Sequence, residues 1–118
     1  MSLSVCDRSI FDPDDLMERM MDDQALARSI AGIFLSNIPD RINMLKDSLY
    51  KKNTNGAELQ AHSINGSASN MAAIKFQKVA SRIEKACRVN DLNTAVSLLT
   101  ELEERFMEVE KEIRQAIL

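Results

Sequence analysis

The stretch 91–117, DLNTAVSLLTELEERFMEVEKEIRQAI, decides the fold class. Its apolar positions Ala95, Leu99, Leu102, Phe106, Val109, Ile113 and Ala116 alternate steps of four and three. On an α-helix of about 3.6 residues per turn, that spacing keeps one stripe facing one way. Asn90-Asp91 in front of it reads as a turn and helix cap. Glu101–Arg105 and Glu110–Arg114 are acid-before-base pairs four residues apart, each worth roughly a few tenths of a kcal/mol on a helix surface. A strict 4-3 repeat suits left-handed packing of antiparallel helices at about 20°. The stretch predicts one long helix in a helical bundle.

Working back toward the N-terminus, the same grammar repeats. Ile74, Val79, Ile83, Ala86 and Cys87 make a helical stripe preceded by the small-residue break Met71-Ala72-Ala73. Before it, Ala57, Ala61, Ile64, Ala68 and Met71 form another stripe, capped by Asn53 or Thr54 after the turn Lys51-Lys52-Asn53-Thr54-Asn55-Gly56. Ile38, Ile42, Leu45 and Leu49 form a third, with Pro39 expected to end or kink whatever precedes it. Leu26, Ile30, Ile33 and Phe34 suggest a helix capped by Asp22 or Asp23. Asp12-Pro13-Asp14-Asp15 reads as an N-cap, a first-turn proline and acids at the positive helix end, opening a short helix to about Met21. The expected architecture is all-α: an antiparallel four-helix bundle (about 37–52, 54–72, 74–89 and 91–117) with one or two additional N-terminal helices.

Composition supports this and removes other classes. The 118 residues are 45% hydrophobic and 28% charged, with three Gly, two Pro and no Trp, a helix-forming globular composition of single-domain size. The net charge of −3 has both signs interspersed, so no basic stripe exists to bind nucleic acid. Cys6 and Cys87 have no metal-binding or disulfide spacing, and Cys87 is expected to be a buried reduced thiol. No apolar run approaches the roughly 18 residues needed to cross a bilayer, so the domain itself is expected to make no membrane contact. A reduced thiol suits a cytoplasmic compartment, and the domain is expected to be monomeric. Residues 1–10 read as a leader or linker remnant, partly disordered, and 11–118 as the domain.

One residue stands outside the core pattern. His62 is the only histidine, and at about 100° per residue it lies roughly 140° from the stripe of its own helix. Glu58, Asn65, Gly66, Ser69 and Ala73 share its face, and all but Glu58 are small or short. Gly66 is telling, since a mid-helix glycine costs about 1 kcal/mol relative to alanine. One turn beyond His62, it leaves space where a side chain would crowd a group placed on the ring. An imidazole that is neutral near pH 7 keeps a free ring nitrogen able to attack phosphorus. Phe76 is open between core and rim of this face.

At these residues the chain resembles a known family. Ala61-His62-Ser63-Ile64-Asn65-Gly66-Ser67-Ala68-Ser69-Asn70-Met71-Ala72-Ala73 is similar to the signature of histidine-containing phosphotransfer (HPt) domains. Phe11-Asp12-Pro13, the Pro39 break and Ile83-Glu84-Lys85-Ala86 before a turn extend the resemblance over about residues 11–118. It implies a link in a multistep two-component phosphorelay. His62 would take a phosphoryl group from a receiver-domain aspartate and pass it to another receiver, with Mg²⁺ supplied by the receiver and no cofactor or metal held by this domain. An apolar ring around the histidine would dock the partner. The resemblance also implies that Glu84 orients the imidazole, and that the parent chain is a bacterial hybrid sensor histidine kinase. The family usually has Lys where this chain has Asn65, a residue without charge. Arg88 is the preferred substitute cation, ahead of Arg82 and Lys85.

Three rival functions are set against this. A metal-carboxylate bundle needs paired Glu-x-x-His motifs, and there is one histidine. A self-contained ATP-dependent kinase needs a Gly-rich phosphate loop, and there is none. The alternative that stays open is a helical adaptor domain without chemistry.

Overall fold

A computed structural model describes residues 7–118; the leader reading of Met1-Ser2-Leu3 and the position of Cys6 lie outside the described residues. Six helices follow one another: α1 (Pro13–Arg19), α2 (Gln24–Tyr50), α3 (Thr54–Asn70), α4 (Ile74–Arg88), α5 (Leu92–Ser97) and α6 (Leu99–Ala116). Helices α2, α3, α4 and the α5–α6 pair form the antiparallel bundle, and among the described residues α1 is the one additional N-terminal helix.

Side chains start these helices where the sequence placed caps. Asp12, Asp23, Asn53 and Asp91 each accept a backbone amide three residues on, and Pro13 occupies the first position of α1. The ends of α1 to α4 share one device. Met21, Lys52, Ala72 and Asn90 adopt left-handed backbone (φ 54°, 58°, 56° and 59°) just past each helix. Paired amides then return to the last carbonyls, as in Ala73 N to Ala68 O (3.0 Å) and Ala72 N to Ser69 O (3.1 Å). Asn53 and Asp91 are both the residue that receives the chain from this reversal and the cap of the next helix.

Four expectations need correction. Pro39 does not divide the chain: α2 runs 27 residues through it and is the longest helix. Pro39 lies on the exposed side, and burial of Ala27, Ala31, Phe34, Leu35, Ile38, Ile42, Leu45 and Leu49 holds the helix together despite the missing amide. The buried side of its first half is accordingly set by Ala27 and Ala31, while Leu26 and Ile33 are exposed and Ile30 is only partly buried. The final stretch is two helices, broken at Leu98. Ser97 Oγ donates to the Thr94 carbonyl (2.7 Å), a hydroxyl-to-backbone bond that competes with regular helix, and Leu98 is buried in place of the expected Leu99. Ala116 and Ile74 are exposed rather than part of the core stripes.

Residues 7–10 are tied to the bundle. The Ser9 carbonyl accepts the Lys75 amide at the start of α4, Lys75 Nζ pairs with Asp7, and Arg8 pairs with Asp12 and Asp14. That carbonyl matters locally, since Ala73 caps α4 without a side-chain acceptor.

Phe76 belongs to the core, fully buried, with Phe34 at 6.2 Å edge-on and Phe106 at 5.7 Å between ring centres. This trio joins α2, α4 and α6. Phe76→Ala should therefore destabilise the bundle by about 3–5 kcal/mol, read as a lower urea midpoint. A loss under about 1 kcal/mol would mean that the rings do not hold these helices together.

Candidate functional site

Helix α3 is buried along Ala57, Ala61, Ile64 and Ala68, and that narrow stripe turns His62 outward. The His62 side chain is 71% exposed. Its Nδ1 lies 2.9 Å from Oε2 of Glu84 on α4. Glu84 is the one charged residue in the interior among the described residues, with a side chain only 9% exposed. An ionised carboxylate only accepts, so Nδ1 is the donor. In the neutral ring the remaining lone pair then belongs to Nε2, on the solvent side.

Glu84 has further partners. Asn65 Nδ2 donates to Oε1 at 3.2 Å, and Arg88 Nη2 donates to Oε2 at 3.0 Å. Arg88 Nε reaches back to Glu58 Oε2 on α3 at 3.2 Å. Burial pushes the Glu84 carboxyl up, but the hydrogen bonds from Asn65 and His62, with the charges of His62 and Arg88, more than offset it. Its pKa lies below the ordinary carboxylate value. Burial beside Glu58 pushes the Cys87 thiol up, in keeping with a reduced, unreactive cysteine.

The structure thus brings His62, Asn65, Glu84 and Arg88 together. Gly66 is exposed one turn past His62, and a Cβ built on it would meet nothing within 4 Å, so packing within the chain does not demand glycine there. Ser69 is half-buried and sits seven residues beyond His62, about 10 Å along the helix, too far to touch the ring. Ala73 leaves the exposed face altogether: it is buried as the cap of α4. Arg82 pairs with Glu101 on α6, and Lys85 is exposed on α4. Sequence reasoning missed Asn55 and the exposed Leu59, which line a depression with Glu58, His62, Glu84 and Arg88. Leu59, three residues before the histidine and off the core stripe, carried the available signal.

Fold and site define a class, a helical bundle that presents one carboxylate-held imidazole to solvent. The Hpt domain family model matches residues 29–116, and the chain belongs to that family. It is 28% identical over 101 residues to the phosphorelay intermediate protein rdeA of Dictyostelium discoideum, covering 86% of this chain and 40% of that relative's length. The fold is that of histidine-containing phosphotransfer protein B from Pseudomonas aeruginosa (TM-score 0.84, 22% identity, covering 90% of this chain and 92% of that one). It also matches the HPT domain of a sensor hybrid histidine kinase from Shewanella (TM-score 0.77, 16% identity, covering 92% and 94%).

The lowered pKa of Glu84 fixes the sign of a pH effect. The ionised carboxylate contributes stability that is fully present above the ordinary Glu pKa of about 4.3 and is lost as pH falls through the lower folded-state value. Glu84→Gln keeps the shape without the charge. It should be less stable than wild type by about 1–3 kcal/mol in urea denaturation at pH 7, and the gap should narrow toward pH 3. A gap independent of pH would mean that the charge does not hold the cluster.

Proposed function

We propose that His62 is the phosphoryl-carrying residue of a multistep phosphorelay. The observation that carries this reading is the pairing of Nδ1 with a buried carboxylate, which leaves Nε2 exposed as a nucleophile. Nε2 attacks the phosphorus of a phosphoaspartate on a receiver domain. The N–P bond forms as the P–O bond to the aspartate breaks, and the carboxylate leaves. The ring keeps its Nδ1 proton and becomes cationic beside Glu84. In the second transfer an aspartate of another receiver attacks phosphorus, and the ring departs neutral.

Such transfers depend on positioning and charge neutralisation. The cluster offers one permanent cation, Arg88, which is 57% exposed and already shared between Glu58 and Glu84. Much of the neutralisation therefore falls to the partner, and Mg²⁺ is assigned to the receiver rather than to this chain. Leu59 at the edge of the depression suits the apolar docking ring. Arg88 is the side chain placed to swing toward a phosphoryl group, the role expected of the missing lysine. Among the described residues no helix is long and apolar enough to cross a membrane. A cytoplasmic, monomeric module of a hybrid sensor kinase, without ATP-dependent kinase activity of its own, completes the proposal.

Incubation with a labelled phospho-receiver should transfer label to wild type as an acid-labile, alkali-stable adduct, and His62→Gln should lose it entirely. Full labelling of that variant would remove the assignment. The adaptor reading makes the opposite forecast, that His62→Gln retains partner function.

Gly66 tests access. Since a Cβ meets open space there, Gly66→Ala should stabilise the helix by about 1 kcal/mol. Gly66→Leu should fold equally well yet slow transfer roughly 10- to 100-fold, because it holds the phosphorus away from the nitrogen. Unchanged transfer by Gly66→Leu would show that no partner surface approaches that turn.

A further inference from the structure

Asn65 has the position from which a longer, charged side chain would reach a phosphoryl group, but in this structure its amide is directed elsewhere. Nδ2 donates to Oε1 of Glu84 at 3.2 Å, while Oε2 takes His62 Nδ1 at 2.9 Å and Arg88 Nη2 at 3.0 Å. We infer that Asn65 is a positioning residue that orients the His62 ring by anchoring the second oxygen of Glu84. The inference rests on the transfer reading for its kinetic consequence alone; the geometry stands without it.

The physical argument concerns the last torsion of a glutamate, which is broad and roughly two-fold, so that one hydrogen bond does not fix the carboxylate plane. A carboxylate held at both oxygens presents a defined lone-pair direction. Of the two groups besides the ring that hold Glu84, Arg88 is mobile in kind: a long side chain, 57% exposed, with Glu58 as a competing partner. Asn65 is short and half-buried, and it lies one turn after His62 on the same helix. It therefore carries the alignment of α3 to the carboxylate of α4 in the same rigid segment as the ring. With both oxygens held, the Nδ1–H form of the ring is favoured and Nε2 keeps its lone pair on a fixed line. The chain has given up a counter-charge at this position and gained a defined ring.

The single histidine makes the test direct, because its ring nitrogens are read by ¹⁵N NMR without overlap. Asn65→Ala and Asn65→Leu both remove the donor and both suit a helix. In each, the Nδ1–H tautomer population should fall toward that of free histidine. Transfer from a phospho-receiver should slow about tenfold, while the hydrolysis rate of phospho-His62 stays within twofold of wild type. Added to Glu84→Gln, the Asn65→Ala change should slow transfer no further, since the two act through one group. An unchanged tautomer ratio in the single variants, or fully additive losses in the double variant, would overturn the inference. Faster hydrolysis with an unaltered ratio would do the same, placing Asn65 on the phosphoryl group directly. Should wild type itself take no label, the transfer reading fails, and the NMR result still decides the role of Asn65.

Discussion

One buried carboxylate joins α3 to α4 at the histidine. Glu84 brings a charge into the interior of α4, where an isolated ion would be costly. Donors from Asn65, His62 and Arg88 converge on its two oxygens. Buried ion pairs are weak sources of net stability, because desolvation consumes much of the attraction. What this one supplies is direction. It fixes which ring nitrogen is occupied and which is free, and it does so between helices that meet only after the chain has reversed.

That arrangement depends on how closely α3 and α4 approach. The buried stripe of α3 is Ala57, Ala61, Ile64 and Ala68, small enough for its neighbours to come close. The bulk needed to fill the bundle lies elsewhere, in the rings of Phe34, Phe76 and Phe106 and the aliphatic rows of α2 and α6. The division leaves the histidine side of α3 thin and accessible while the opposite side is packed. A short side chain such as Asn65 spans to α4 because of that thinness; across a bulkier interface it would fall short.

The parts legible in the sequence were those governed by local chemistry. Asp12 before Pro13, Asn53 after the lysine turn and Asp91 after Asn90 declared their caps, because an N-cap depends on a few neighbouring atoms. The outward direction of His62 followed from the stripe beneath it. Pro39 misled because its local penalty is real but is outweighed by eight buried side chains distributed over α2, a tertiary effect with no local sign. The break at Leu98 depends on a Ser97 hydroxyl choosing the backbone, a choice that a faultless 4-3 pattern concealed. Glu84 and Arg88 came from resemblance, since no periodicity says which polar residue of α4 faces a histidine 22 positions earlier. The link from Arg88 to Glu58, and the second anchor on Glu84, required the packed helices.

Left-handed backbone after a helix is the place that glycine fits best, yet Lys52 and Ala72 hold it with a Cβ present, at about 1 kcal/mol each. Meanwhile Gly32 sits inside α2, where a Cβ would touch nothing. Glycine at the exposed Lys52 and alanine at Gly32 would harden the module without altering its interior or its reactive face. The reversals are also so short that the residue closing one helix opens the next at Asn53, Ala73 and Asp91. Loop-length variation is therefore shut out at these joints: adding a single residue between α3 and α4 would rotate or slide one helix against the other and pull the carboxylate out of line with the ring.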